Sequence, residues 1–152
     1  MGASDIENDP NVVDATLLEE AERLLGSAID LRRDIHEHPE LGLELPRTQA
    51  AILDSLAGLG LEISTGRDLS SVVAVLDGGQ EGPTTLLRGD MDALPMHEDT
   101  GLPFASRVDG AMHACGHDAH VAMLAGAARL LAGRSEEVAG RVVFMFQPGE
   151  EG

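Results

Sequence analysis

Between Met112 and His120 the chain places three histidines, its only cysteine and an aspartate within nine residues. Cys115 and His117 stand two apart, so in an extended or turning segment both side chains reach one point. Gly116 between them lets the backbone turn tightly. A thiolate and an imidazole are good ligands for zinc and similar divalent ions. Two acidic clusters accompany the pair, Gly89-Asp90-Met91-Asp92 upstream and Gln147-Pro148-Gly149-Glu150-Glu151 downstream. Together these residues supply the ligand types of a metal hydrolase.

Each feature also has a plainer reading. An isolated Cys-x-His is most often a loop cysteine beside a solvated histidine; here the three histidines and the flanking acids favour metal ligation. A structural zinc site would want four Cys or His ligands and no carboxylate pair. A Cys115 nucleophile with a histidine base stays open as a rival. Glu150-Glu151 reads as a solvated acidic turn in a chain this acidic. It follows an apolar strand and a Pro-Gly turn, however, which directs its backbone. Metal-assisted hydrolysis needs one carboxylate to hold the ion and another to move a proton, and adjacent glutamates on a turn suit the two tasks. Asp92 is expected to orient a ligand histidine, with Asp90 either beside it or binding metal itself. The His36-Glu37-His38-Pro39-Glu40 run resembles a metal cluster by composition but reads as a helix terminus packed near the site. His97 and His113 are expected to be solvated or to support ligands.

The elements that position these residues follow from periodicity. Residues 1–13 read as a disordered leader. Thr16-Leu17-Leu18-Glu19 has the form of a capping box, and Leu17, Leu18, Ala21, Leu24, Leu25 and Ala28 keep a helical period to about His36, before Pro39. Pro46 opens a second helix whose apolar face is Ile52, Leu53, Leu56 and Leu59, ended by Gly58 and Gly60. Leu61-Glu62-Ile63 predicts a short strand. Val72–Leu76, Thr84–Arg88 and Arg141–Phe146 are apolar runs expected of strands buried on both faces. A helix rich in small residues runs from about Asp118 to Ala132, closed by Gly133. Strands alternating with helices predict an α/β fold with a mostly parallel sheet flanked by helices. Asp90 and Asp92 then lie past one strand end, Glu150 and Glu151 past another, and Cys115 and His117 on the loop into the helix between. Ligands gather at such strand ends in open α/β sheets.

Composition narrows the partners. The chain has 152 residues and a formal net charge of −17, and all its basic side chains are arginines. Nucleic acid and anionic membrane would be repelled by that charge. One cysteine cannot form an internal disulfide framework and fits a reducing compartment. With no signal-peptide pattern and no apolar run near about 18 residues, the expectation is a cytoplasmic protein. The chain stops one residue after Glu151, inside the candidate site, so it reads as the N-terminal part of a longer protein, residues 14–152 being part of one catalytic domain.

Four runs together resemble the amidohydrolases that include hippurate hydrolase, the indole-acetyl-amino-acid hydrolases, N-acetyl-diaminopimelate deacetylase and bacterial aminoacylase-type carboxypeptidases. They are Leu31–Gly42, Leu87–Pro95, Met112–His120 and Phe146–Gly152, in that order along the chain. The resemblance implies part of an exopeptidase-like catalytic domain and two divalent metal ions (zinc, manganese, cobalt or nickel). It implies that Cys115 bridges the ions, that His117 and Glu151 are ligands, and that Glu150 is the general base. Asp92 matches an acidic residue that steadies a ligand. Asp90 stands where related two-metal peptidases carry a ligand histidine. Family members have two further ligand histidines and a smaller lid domain that also dimerises, none of them within these 152 residues. The implied reaction is hydrolysis of the amide of a small N-acyl amino acid, with the chain alone inactive or nearly so. The alternatives are a metallo-dipeptidase or carboxypeptidase, and a non-catalytic metal-binding domain.

Overall fold

A computed structural model describes residues 15–152; the expected leader, residues 1–13, lies outside the described part. The elements in order are α1 (Ala15–Glu37), α2 (Pro46–Leu56), β1 (Glu62–Thr65), β2 (Val72–Asp77), β3 (Gln80–Asp90), α3 (His117–Ala132) and β4 (Ala139–Gln147), with a short 3-10 turn at Ser135–Glu137 before β4. Thr16 is already helical, so it does not cap α1 as the sequence suggests. Pro46 stands at the start of α2, whose free N–H groups are taken by a residue outside the helix. The Glu40 carboxylate accepts from the backbone N–H groups of Arg47 and Thr48 and from the Thr48 hydroxyl. That use of Glu40 accounts for one acid in the histidine-rich run after α1.

The sheet has the order β1-β2-β4-β3. It is mixed, not mostly parallel: β1 pairs β2 and β2 pairs β4 antiparallel, and only β3 and β4 run parallel. Chain connection explains this. Short loops join β1 to β2 and β2 to β3 and reverse the strand direction, whereas the long excursion through α3 returns β4 alongside β3 in the same direction. β4 thereby slips between β2 and β3, and its apolar side chains become the centre of the core. Phe144 faces Ala74 and Phe146 faces Val72 across the β2–β4 ladder, all four fully buried. A large residue opposite a small one fills the layer without voids. Ile52 and Leu56 of α2 and Val121, Ala125 and Ala128 of α3 complete that core.

The central apolar strands are inside, as their sequences imply, but Thr84–Leu86 of β3 is exposed, Leu86 at 56 %. β3 is the last strand of the order, so it pairs with β4 on one edge and has no neighbouring strand among the described residues on the other. On the side that is covered, α3 lies very close. A Cβ at Gly89 would come within 3.0 Å of the His120 carbonyl oxygen, so the glycine lets the first turns of α3 rest on the end of β3. No helix among the described residues is long and apolar enough to cross a membrane.

Candidate metal centre

The parallel β3–β4 ladder brings the two acidic clusters together. Its register ends with Asp90 beside Gln147, and the Met91 N–H continues it by donating to the Gln147 carbonyl at 2.9 Å. The loops carrying Asp92 and Glu150-Glu151 therefore leave the sheet side by side. α3 runs back against the strands, so its first turn, with His117, sits at the same end. Gly116, at φ 90°, supplies the left-handed turn that puts Cys115 ahead of the helix.

Asp92 ties these pieces. Its carboxylate is 1 % exposed and accepts two backbone N–H groups, Glu150 at 3.1 Å on Oδ1 and Glu151 at 2.9 Å on Oδ2. Its backbone carbonyl oxygen lies 2.9 Å from His117 Nδ1. That contact is a hydrogen bond only when Nδ1 carries the proton, which leaves the Nε2 lone pair free. Nε2 faces the glutamate turn, 3.7 Å from Glu150 Oε2 and 3.9 Å from Glu151 Oε1. The expectation that Asp92 orients a histidine thus meets a different division of labour. The carbonyl meets the histidine and the carboxylate builds the glutamate turn.

Cys115, His117 and Glu151 present ligand atoms within 4.8 Å of one another. Glu151 Oε1 is buried without a hydrogen-bond partner. A carboxylate oxygen in that state suits a cation, and soft thiolate with imidazole and carboxylate is a donor set for zinc and its neighbours. The chain's residues therefore fit a divalent ion at this point. A second group, Asp90, His117 and His120, also lies within 4.8 Å, but Arg88 already pairs with Asp90 at 2.7 Å and His117 has one free nitrogen for both groups. The structure brings together every residue singled out from sequence as a ligand or base. His97 stays at the surface, 3.3 Å from Asp109.

The roles of two acids in the neighbourhood, Asp118 and Glu98, carry no clear mark in the sequence. Asp118 is fully buried directly after His117; Arg32 and His36 of α1 both reach it at 2.6 Å. Glu98 lies in the long loop before Cys115, where nothing in its spacing distinguishes it. Asp118 stands in the Met112–His120 cluster and in the first turn of a helix, but neither sign tells that it binds Arg32 and His36.

The profile of peptidase family M20/M25/M40 matches residues 86–152, the part holding all three clusters. The chain is 48 % identical over 124 residues to N-acetylcysteine deacetylase of Bacillus subtilis, covering 81 % of this chain and 33 % of that protein. It is 47 % identical over 124 residues to thermostable carboxypeptidase 1 of Saccharolobus solfataricus, covering 81 % and 32 %. The fold agrees with a crystal structure described as a dinuclear metal-binding peptidase of the M20 family from Bacillus subtilis, at TM-score 0.81 and 46 % identity over 86 % of this chain and 36 % of that one. The chain belongs to peptidase family M20/M25/M40. It spans about a third of the length of the relatives it matches.

Electrostatics around the M20 centre differ from residue to residue. Contact with the Glu151 carboxylate, then desolvation and the charges of Glu151, Glu150 and Asp90, push the Cys115 thiol up, so the metal-free chain holds a thiol rather than a thiolate. A cation reverses this by stabilising the thiolate. Of the two roles expected of His113, solvated or supporting a ligand, the structure excludes the first and shows no hydrogen bond for the second. The ring is 3 % exposed and neither of its nitrogens has a partner. Burial drives it from 6.5 to about 4 against the opposing pull of Asp118 and Asp92.

The sign of the consequence is fixed by linkage. The unfolded chain takes up a proton at His113 before the folded one does, so folding stability is intact above pH 6.5 and is lost as pH falls towards 4. The loss is roughly 3 kcal/mol. Urea unfolding at pH 7 and pH 4.5 should show it, and His113→Phe should flatten that limb. An equal slope in wild type and variant would remove His113 as the cause. Glu98 adds a further loss below its ordinary 4.5. Although burial works against its charged form, hydrogen bonds from Thr100, Ser106 and His36 hold its carboxyl below that value.

Proposed function

We propose that the protein containing this chain is a metal-dependent amidohydrolase that cleaves the amide of N-acyl amino acids, releasing a carboxylic acid and a free amino acid. The observation that carries this reading is the convergence of Cys115, His117 and Glu151 around a buried, unpartnered carboxylate oxygen, with the Glu150 carboxylate beside them. The similarity to an N-acetylcysteine deacetylase and to a carboxypeptidase supports the substrate class. Both names describe cleavage of an amide whose nitrogen belongs to an amino acid with a free carboxylate.

Cys115, His117 and Glu151 would hold metal, and Asp92 fixes the turn that delivers both glutamates. Two divalent ions, when bound, acidify water and stabilise negative charge on the carbonyl oxygen of the substrate. Glu150 lies outside the ligand group, 44 % exposed, with Oε2 aimed at the same point. It accepts the proton of the attacking water on its carboxylate and returns it to the leaving nitrogen. His117 is kept in one tautomer by the Asp92 carbonyl, so its Nε2 stays available as a ligand throughout.

The test uses the full-length protein and a panel of N-acetyl and N-benzoyl amino acids together with dipeptides. Activity on the N-acyl amino acids should vanish on chelation and return with zinc, manganese or cobalt. Preference for dipeptides would move the reading to a carboxypeptidase. Turnover that persists in the metal-stripped protein and disappears in Cys115→Ser would assign the reaction to a cysteine nucleophile instead.

A further inference from the structure

Behind the candidate metal centre lies a buried polar network that the reaction above does not use. Asp118, the residue after His117, is fully buried, and its Oδ2 receives both Arg32 Nε and His36 Nδ1 at 2.6 Å. Its Oδ1 accepts the Ala119 N–H at 2.9 Å. The other nitrogen of His36, Nε2, lies 3.2 Å from Glu98 Oε1. Glu98 is the knot of the loop between Asp92 and Cys115. It accepts from the Thr100 hydroxyl and from the Ser106 N–H, the latter at 2.6 Å. Two more contacts press the same loop against α1. Phe104 lies under the guanidinium groups of Arg32 and Arg33, and Arg107 pairs with Glu37 at 2.7 Å.

His36, only 3 % exposed, therefore stands between two carboxylates that come from opposite sides of the Cys115–His117 turn. Ionised carboxylate oxygens only accept, so both contacts are hydrogen bonds when each ring nitrogen bears its proton. One grip holds the helix end just after His117. The other holds the loop that leads to Cys115. Buried carboxylates are costly without partners, so each grip resists displacement of the backbone that carries it. Neither carboxylate belongs to the ligand group, and His36 itself does not reach it.

We propose that His36 is a positioning residue which, by clamping Asp118 and Glu98 at once, sets the separation of the two metal-binding side chains Cys115 and His117. This rests on the metal reading of the site. Asp118 is covalently next to a ligand, whereas Glu98 acts through a longer loop, so the Asp118 grip carries the larger share.

Two replacements separate the grips, because the amide of asparagine reaches about where Nδ1 lies and that of glutamine about where Nε2 lies. Zinc affinity of the full-length protein is measured by chelator competition for wild type, His36→Asn, His36→Gln and Glu98→Gln, with circular dichroism to verify folding. The visible spectrum of each cobalt-substituted protein reports the thiolate and imidazole geometry. His36→Gln should bind zinc roughly tenfold or more weakly and shift the cobalt bands, as expected when a support behind a ligand is lost. His36→Asn, which loses only the Glu98 grip, should weaken zinc binding and shift the cobalt bands measurably but by less than His36→Gln does. Equal losses in the two variants, or wild-type affinity and spectrum in folded His36→Gln, overturn the proposal. If His36→Gln does not fold, Glu98→Gln decides. A weaker affinity with shifted bands supports the clamp, and an unchanged centre overturns it. Wild-type protein that binds no zinc or cobalt would overturn the metal reading first, and the clamp with it.

Discussion

Replacing Glu150 by glutamine in the full-length protein should leave metal content unchanged while lowering kcat by roughly 10²- to 10⁴-fold, the usual range for a lost general base. The two neighbouring glutamates invite the opposite assignment, so the geometry must separate them. Glu151 has a buried, unpartnered Oε1 and shares the ligand group with Cys115 and His117. Glu150 is outside that group and more than twice as exposed, 44 % against 20 %, as a residue must be if it is to meet both water and a leaving nitrogen. Their backbones are held alike, each N–H on one oxygen of Asp92. The substitution Glu150→Gln therefore changes the carboxylate chemistry and not the turn. Glu151→Gln should behave differently, losing metal along with activity. Elemental analysis and kcat for both variants check the assignment. Normal turnover in Glu150→Gln, or metal loss in that variant and not in Glu151→Gln, would reverse the roles.

The sequence made the ingredients of this centre legible because metal chemistry uses few residue types. A lone cysteine two residues from a histidine, with acids after two apolar strands, is rare enough to notice without any structure. The helices were equally legible, since their apolar periods are long. Strand order was not. Nothing in Val72–Leu76 or Arg141–Phe146 states that β4 enters between β2 and β3, because that depends on which ladder buries Phe144 and Phe146 best. The exposure of Thr84–Leu86 is hidden for the same reason, as composition does not reveal that a strand lies at the end of the order. The supporting network was harder still. His36 and Asp118 are 82 residues apart, and Glu98 is 62 from His36. A carboxylate that neutralises a distant arginine or histidine has no local signature.

The same distinction between local and distant information bears on Asp92, where the sequence expectation and the structure divide. If the carboxylate oriented the histidine, Asp92→Ala would chiefly disturb His117. In the structure His117 meets the backbone carbonyl at 2.9 Å, whereas the carboxylate lies 3.5 Å from the same nitrogen. That carbonyl survives any substitution. What Asp92→Ala removes is the acceptor of the Glu150 and Glu151 N–H groups, in a position only 1 % exposed. Each stranded donor costs about 1–3 kcal/mol, and the turn that carries base and ligand loses its template. Activity of the full-length protein should fall at least 10²-fold and metal affinity by roughly 10- to 100-fold, the range for lost ligand support. Asp92→Asn should be intermediate. Its amide oxygen keeps one N–H satisfied while its amide nitrogen opposes the other. The readout that separates the two accounts is the nitrogen NMR signal of His117. With the carbonyl as partner, Nδ1 keeps its proton in Asp92→Ala. A switch of that proton to Nε2 would show that the carboxylate, not the carbonyl, sets the histidine.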